Sequence, residues 1–306
     1  MPEWIVAADA AGVRLDKFLA APGRLGSRAR AAAALERGKI FVNDEEASLR
    51  DAARPVAGGD TIRLWEDRPG SSRPAARQPR GDLAIVYEDA AILVFNKPAG
   101  LLSVPLDGAH SAVDLLEDYL RSRTRRKPLV VHRIDRDTSG LVVFAKDLRS
   151  HAALKEQFRR REPERIYWAA VYGHPEPASG TWRDYLVWDA KALIQKETSP
   201  RDPKAAEAIA DYRVLESFRD TSLIEVSLQT GKRNQIRIQA RLRGHTLIGE
   251  QRYVYGPPEL RPIAFPRQAL HARRLAFDHP ADGRRMEFEA PLPADFAELL
   301  AKLRRT

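Results

Sequence analysis

One short segment, residues 132–140, carries the side chains of this sequence best suited to chemistry. It consists of His-Arg-Ile-Asp-Arg-Asp-Thr-Ser-Gly, which places Asp135 between arginines on both sides. An opposite charge within a few ångströms favours the ionised form of a carboxylate, so we expect Asp135 to stay charged. An ionised carboxylate among cations predicts nucleophilic attack by Asp135 on a polyanionic substrate. The alternative is that Asp135 is an ordinary turn residue that neutralises its arginines.

Two apolar segments bracket this run and must hold it in place. Residues 128–131 (Pro-Leu-Val-Val) precede it, and residues 141–146 (Leu-Val-Val-Phe-Ala-Lys) follow it. Short β-branched segments on either side of Asp, Thr, Ser and Gly predict a strand, a loop and a second strand. Asp135 is therefore expected in a loop that two strands position. Ser150, a little further on, is expected to cap a helix.

The same run carries a family resemblance. His-Arg-Ile-Asp followed by Thr-Ser-Gly, an apolar strand and Ala-Lys resembles the active-site signature of the RluA-type pseudouridine synthases. The resemblance implies that Asp135 is the catalytic nucleophile of an enzyme that isomerises uridines in RNA. It implies no cofactor and no metal. It also implies that Arg133 fills the space left by the flipped-out uridine and that His132 lies at the substrate.

Three further motifs fit this family. Residues 96–100 (Asn-Lys-Pro-Ala-Gly) follow an apolar strand, and Lys97 is expected either to contact a phosphate or to serve as a structural loop lysine. Tyr167 lies in an alternating strand pattern, and the resemblance places it in the active site, stacked on the uracil. Residues 230–238 (Thr-Gly-Lys-Arg-Asn-Gln-Ile-Arg-Ile) are similar to the motif whose last arginine, here Arg237, pairs with the catalytic aspartate.

The segment around Arg237 departs from the family pattern at three positions. Asn234 and Gln239 stand where the family usually has histidine, and Glu250 stands where it usually has aspartate. All three keep hydrogen-bonding groups, so the changes bear on substrate choice and activity more than on the fold, and Asn234 is still expected at the substrate. The local pattern fits either a strand or a helix that Asn234 caps and Gly244 ends. The resemblance favours the helix.

Composition narrows the class of protein. The 306 residues are 43% hydrophobic and 30% charged, and 51 Lys and Arg outnumber 42 Asp and Glu. This positive excess favours a nucleic acid or another anionic partner. No apolar run approaches the ~20 residues that span a bilayer, and no signal peptide is evident, so we expect a cytoplasmic protein without a membrane partner. Cysteine is absent, and the usual nucleotide-binding and serine-hydrolase motifs do not occur.

The composition of residues 66–80 indicates a flexible linker. This stretch holds three prolines, four arginines and no large apolar side chain, so it cannot build a core. It divides the chain into a small domain, residues 1–65, and a larger catalytic domain, residues 81–306. The predicted fold class is α+β: a large mixed, mainly antiparallel sheet with flanking helices, plus a small α/β-type RNA-binding domain at the N-terminus.

The small domain has a basic helix pair. Helices are predicted over 14–19 and over 28–37, the second capped by Ser27, and seven Arg or Lys lie between residues 12 and 40. The pattern is similar to the RNA-binding domain named after ribosomal protein S-four. The resemblance implies that RNA is contacted by Arg14, Lys17 and Arg28.

These observations predict a pseudouridine synthase that acts on structured RNA as a monomer. The pairing of domains favours ribosomal RNA over transfer RNA. One rival is a catalytically idle RNA-binding protein on the same fold, which the three departures support. A second rival is a base-excising glycosylase in which Asp135 activates water.

Overall fold

The protein consists of two compact units. The computed structural model describes residues 2–36, 38–65, 83–106, 110–121, 123–124, 126–192 and 194–305. Contacts divide the chain into units 1–81 and 82–306. The predicted linker, residues 66–80, lies outside the described residues. None of the helices in the described part of the chain combines the length and the apolar character that a membrane span requires.

The small unit has two helices and a four-stranded antiparallel sheet of order β1-β4-β2-β3. Its elements are β1 (Glu3–Ile5), α1 (Leu15–Leu19), α2 (Arg28–Glu36), β2 (Ile40–Val42), β3 (Glu45–Ala47) and β4 (Thr61–Leu64), with short 3₁₀ helices at Ala8–Ala10 and Leu49–Ala53. The predicted cap of α2 is confirmed, because the Oγ of Ser27 accepts from the backbone N–H of Arg30 at 3.2 Å. Asn43 and Asp44 both have positive φ, as a tight hairpin between β2 and β3 requires.

The large unit is built around one sheet. Its elements are β5 (Ile85–Glu88), β6 (Ile92–Lys97), α3 (Ala112–Arg121), β7 (Leu129–Val130), β8 (Ser139–Ala145), α4 (Leu148–Arg160), β9 (Glu164–Tyr172), β10 (Ser179–Asp189), β11 (Ile194–Glu197), β12 (Ala206–Ser217), β13 (Thr221–Leu228), α5 (Gln235–Leu242), a 3₁₀ turn at Pro258–Leu260, β14 (Leu270–Asp278), β15 (Arg285–Glu289) and α6 (Ala294–Leu303).

The sheet of the large unit is mixed and mainly antiparallel. Its path is β11-β10-β12-β13-β9-β14-β8-β6-β5, with β15 paired to β14 and β7 paired to β8. Among the described strands, only β14 and β8 pair in parallel. Every residue of β8 is buried, because Leu154 of α4 packs in the cluster on one face and Leu116 of α3 in the cluster on the other. The predicted α+β class with a large, mainly antiparallel sheet is confirmed.

The parallel pair of strands depends on one glycine. Gly140 has φ of 112°, and a Cβ atom there would lie 2.2 Å from the carbonyl oxygen of Ala272. Only glycine tolerates both this conformation and this approach. Gly140 therefore lets β8 pack against β14 immediately after the loop that carries Asp135.

The cap of α4 differs from the sequence prediction. Asp147, not Ser150, is the N-cap, and its carboxylate accepts from the backbone N–H and the hydroxyl of Ser150, both at 2.8 Å. Ser150 is instead the third residue of the helix. Aspartate serves better here because its two oxygens satisfy both donors.

Candidate active site

The loop that carries Asp135 joins β7 to β8 and is held by hydrogen bonds at several points. The Oγ of Ser103 donates to the carbonyl oxygen of Ile134 at 2.7 Å and accepts from its N–H at 3.2 Å. The N–H of Gly100 donates to the carbonyl oxygen of Arg136 at 3.0 Å. The N–H of Thr138 closes a turn onto the carbonyl oxygen of Asp135. The loop is therefore fixed by the same Pro/Gly segment that the sequence singled out.

Lys97 is central to the hydrogen bonds that hold this loop. Its side chain does not reach the space where a substrate would bind. The residue is fully buried. Its Nζ donates to three carbonyl oxygens, those of Pro98, Leu101 and Arg136, at 2.7–2.9 Å. Burial lowers the pKa of Lys97 to about 7, although the nearby aspartates oppose that shift. The expected phosphate contact is therefore not what the structure shows, and the structural alternative describes Lys97.

Replacing Lys97 by methionine should destabilise the large unit. The change leaves three carbonyl groups in the loop support without their donor, and each unpaired buried group costs about 1–3 kcal/mol. We expect a loss of about 2–4 kcal/mol in the free energy of unfolding, measured by urea denaturation. Lys302→Met, at an exposed position of α6, is the control and should stay close to wild type. Equal stability of the two variants would contradict this role of Lys97.

Asp135 is held asymmetrically. Its Oδ2 accepts from Nη1 of Arg237 at 3.1 Å and from Nδ2 of Asn234 at 2.6 Å. Its Oδ1 accepts no hydrogen bond from any described residue. The side chain of Asp135 remains 21% exposed. One carboxylate oxygen is thus fixed by two donors, and the other keeps its lone pairs for another partner.

Arg237 is held from its far side by Glu250. The carboxylate of Glu250, which is fully buried, accepts from Nε and Nη2 of Arg237 at 2.6 and 2.7 Å. Burial opposes the charged form, but the bonds to Glu250 and the charges of Glu250 and Asp135 raise the pKa of Arg237 above its usual value. Such a bidentate ion pair fixes the orientation of a guanidinium and stabilises its charged form. Arg237 therefore presents its remaining nitrogen to Asp135 in one geometry.

Asn234 connects Asp135 to a buried tyrosine. Its Oδ1 accepts from the hydroxyl of Tyr253 at 3.2 Å, while its amide nitrogen binds Asp135. The two contacts agree on the orientation of the amide, since an amide oxygen would repel the carboxylate. The helix expected around Arg237 is present as α5, and Asn234 occupies its N-cap position. Asn234 makes no side-chain capping bond, however, and its φ is 54°, so its side chain serves the carboxylate instead.

Gln239 and Glu250, the other two residues that depart from the family pattern, also form contacts inside the protein. Gln239 is fully buried, and its amide nitrogen donates to Asp184 and to the carbonyl oxygens of Trp182 and Ala208. Glu250 follows Gly249, which has φ of 74° and would clash with the carbonyl oxygen of Arg267 if it carried a Cβ. Each departure therefore has its polar groups satisfied.

Tyr167 lies on β9 with its ring buried. The strand alternates in exposure, so Arg165, Tyr167 and Ala169 share the covered face. The hydroxyl of Tyr167 makes no hydrogen bond to a described residue. Burial raises the pKa of Tyr167 to about 12, which keeps the phenol protonated at neutral pH. Tyr167 therefore offers a flat ring and a neutral hydroxyl.

These side chains line one cavity of about 490 Å³. A volume of ~300–1,000 Å³ is usual for a small-ligand site. The residues on its wall include Asp135, Tyr167, Asn234 and Arg237, together with exposed Arg133. The structure thus brings together the predicted residues of three separate motifs, and Asp135 and Arg237 meet although they are 102 positions apart in the chain.

His132 also lines the cavity, but its contacts lie within the scaffold. Its Nε2 accepts from the backbone N–H of Val143 at 3.1 Å, and its ring stacks on Phe158 at 4.6 Å. Burial lowers its pKa to about 3. His271, on β14, is buried as well, its Nδ1 lies 2.9 Å from the Oγ of Ser139, and burial lowers its pKa to about 4.

Because of these two histidines, we expect the free energy of unfolding to decrease in acid. In the unfolded chain both take up protons below a pKa of ~6.5, but in the folded chain they do not until pH about 4 and about 3. Stability should therefore fall as the pH drops through that window, by up to roughly 2 kcal/mol per histidine between pH 7 and pH 5. Urea denaturation at several pH values measures it. His132→Gln should flatten the slope, and an unchanged slope would contradict the assignment.

In the small unit, the three basic residues expected to contact RNA differ in their surroundings. Arg14 forms a two-pronged ion pair with Asp16 at 3.1 and 3.0 Å. Its charge is therefore already partnered. Lys17 and Arg28 are exposed, and neither forms an ion pair with a described residue.

Sequence reasoning missed two residues of the site. Tyr253, which supports Asn234, lies 19 positions from it, and nothing in the local pattern marks it. Arg165 also lines the cavity. A signal for Arg165 was present, because alternation along the strand places it on the same face as Tyr167.

Comparisons with known proteins give the family. The family model described as RNA pseudouridylate synthase matches residues 91–242, which include the positions of Asp135, Tyr167 and Arg237. An uncharacterized RNA pseudouridine synthase of Bacillus subtilis is 37% identical over 95% of this chain and 94% of that protein. The ribosomal large subunit pseudouridine synthase D of Pseudomonas aeruginosa is 37% identical over 96% of this chain and 93% of that protein. The chain therefore belongs to the RNA pseudouridine synthase family, whose members are isomerases.

Solved structures agree on the fold. The human RNA pseudouridylate synthase domain containing 4 aligns with a TM-score of 0.60 and 24% identity, over 72% of this chain and 93% of that one. The human RNA pseudouridylate synthase domain containing 1 aligns with a TM-score of 0.57 and 23% identity, over 74% of this chain and 96% of that one.

Proposed function

We propose that this protein converts uridine to pseudouridine in large-subunit ribosomal RNA, with Asp135 as the nucleophile. The observation that carries the proposal is the asymmetry of Asp135 at the cavity wall. Arg237 and Asn234 bind Oδ2, so the carboxylate is held in one orientation while Oδ1 remains available. The choice of RNA rests on relatives named ribosomal large subunit pseudouridine synthase D, at 35% and 37% identity.

The proposed reaction conserves mass. The bond between ribose C1′ and uracil N1 breaks, the base turns, and C1′ joins uracil C5. The hydrogen on C5 leaves as a proton, and N1 gains one. Asp135 forms a transient covalent bond to the nucleotide, which is the usual advantage of nucleophilic catalysis. No atom is added or removed overall, and no electron is transferred.

The remaining residues hold the base and the nucleophile. The buried ring of Tyr167 stacks on the uracil, and its neutral hydroxyl is a hydrogen-bond donor. Arg237 binds Asp135 and orients it, and Glu250 keeps Arg237 in place. Arg133, exposed at the cavity, occupies the space of the extruded uridine, whose unstacking costs a few kcal/mol. The protein thus retains the free base beside the nucleophile until it has turned.

The small unit would contribute RNA affinity. Of the three cations predicted to contact RNA, Lys17 and Arg28 are exposed and have no ion-pair partner among the described residues, so they suit backbone phosphates better than Arg14 does. The resemblance to the domain named after ribosomal protein S-four supports this role for the helix pair α1 and α2.

The test is isomerisation of large-subunit ribosomal RNA purified from cells that lack the gene. The RNA carries a trace of uridine tritiated at C5, and the purified protein should release this tritium to water, while the product of unlabelled uridine should have the same mass as uridine. Release of free uracil would instead indicate a glycosylase. Binding of the RNA without tritium release would indicate the idle RNA-binding protein. Mapping pseudouridines in RNA from cells with and without the gene then names the uridine.

A further inference from the structure

Arg165 is a buried cation in the wall of the active cavity, and the mechanism above does not use it. It precedes Tyr167 by two residues on β9, so both side chains lie on one face, about 7 Å apart along the strand. Arg165 is only 8% exposed. Its Nη2 donates to the carbonyl oxygen of Leu228 at 3.1 Å, and its guanidinium lies 5.7 Å from the ring centre of Phe158.

No described carboxylate lies within ion-pair distance of Arg165. Its Nε is buried without a hydrogen-bond partner, and its Nη1 donates to no described residue. Burial lowers the pKa of Arg165, and the charge of Arg161 lowers it further. A buried charge without a partner is costly, and proteins normally pair it. An arginine left in this state therefore points to a partner that comes from outside the chain.

Gly231 leaves space for the guanidinium of Arg165 because it has no side chain. A Cβ atom on Gly231 would lie 2.5 Å from Nη1 of Arg165. Glycine at this position therefore lets the tip of Arg165 rest against the loop that leads into α5. The same loop carries Asn234, so the guanidinium lies beside the segment that positions the nucleophile.

The surroundings of Arg165 favour an anion over a neutral group. Lys155, Arg161 and Lys232 line the same cavity. Among the described residues of its wall, Asp135 is the only acid, and Arg237 already binds it. A phosphate group would relieve this excess positive charge, whereas a carbonyl of the base would not.

We propose that Arg165 forms a preformed subsite for a backbone phosphate next to the target uridine. A non-bridging phosphate oxygen would accept from Nη1, with Lys155, Arg161 and Lys232 supplying the surrounding positive field. The subsite rests on the proposed function, because it presumes that RNA enters this cavity. It would fix the phosphate on the same strand face that holds the base on Tyr167.

The test compares RNA binding by wild type and Arg165→Gln over a range of salt concentrations, with large-subunit ribosomal RNA as the probe. Loss of one phosphate contact should lower the slope of log affinity against log salt by about one and weaken binding about 10-fold or more at low salt. Gly231→Ala keeps the charge of Arg165 but displaces its guanidinium, so this variant should also weaken RNA binding and lower the salt slope. Arg304→Gln removes an exposed arginine bound to Glu216 and is the control.

A second readout separates this role from a structural one. Arg165→Met removes an unpaired buried charge, so its thermal midpoint should equal or exceed that of wild type, while its RNA affinity falls. A lower midpoint with unchanged affinity would overturn the subsite. Weaker binding with an unchanged salt slope would also overturn it, since that result indicates a contact with the base. Absence of tritium release by wild type would reject the isomerase instead, and the salt slope would still test the subsite.

Discussion

Replacing Asp135 by asparagine should abolish isomerisation while leaving the fold intact. Asparagine has nearly the same shape, and its carbonyl oxygen can take the place of Oδ2 between Arg237 and Asn234. The amide cannot act as a nucleophile, because its NH₂ group then stands where the free Oδ1 of the carboxylate would attack. We expect kcat to fall by at least about 10³-fold. Tritium release under single-turnover conditions measures the effect.

Asp137 offers a matched control for this variant. It lies two residues further along the same loop and binds Arg136 at 3.0 and 3.1 Å. Asp137→Asn removes an equal charge from the same loop, and its kcat should remain within a few-fold of wild type. Retention of a tenth or more of the activity by Asp135→Asn would exclude Asp135 as the nucleophile and favour a role in binding alone.

Much of the site could be predicted because its residues stand in short local patterns. The loop around Asp135 is bounded by two apolar segments, and these segments form β7 and β8. The alternating pattern around Tyr167 predicted a strand, and this strand is β9, in which exposure alternates from Glu164 to Ala169. The pairing of Arg237 with Asp135 followed only from the family resemblance, because the two residues are 102 positions apart.

The partner that each polar side chain meets could not be predicted from the sequence. For Lys97 the sequence left both a phosphate contact and a structural role open, and in the structure its buried Nζ donates to three carbonyl groups. Asn234 has the right position for a helix cap, yet its positive φ turns the side chain to Asp135. Sequence gives the residue type and its register, whereas the donor or acceptor that it meets depends on contacts distant in sequence.

Replacing Arg237 by methionine should remove activity and also destabilise the fold. The fully buried carboxylate of Glu250 would lose both of its guanidinium bonds. Breaking a buried ion pair in this way costs about 3–5 kcal/mol. We expect the free energy of unfolding to fall by that amount and kcat to fall by at least about 10²-fold, since Asp135 loses the group that orients it. Urea denaturation and tritium release measure the two effects.

A double variant separates these two effects. In Arg237→Met/Glu250→Gln the buried charge is removed together with its partner, so most of the lost stability should return. The isomerase activity should not return, because the guanidinium beside Asp135 is still absent. Arg243→Met is the matched control, as it breaks another partly buried pair, with Asp184 at 2.9 Å, next to the same helix. The free energy of unfolding of Arg243→Met should be lower than that of wild type, and its kcat should be unchanged. Recovery of activity in the double variant would show that Arg237 acts only by neutralising Glu250, and the orienting contact with Asp135 would then have no part in the reaction.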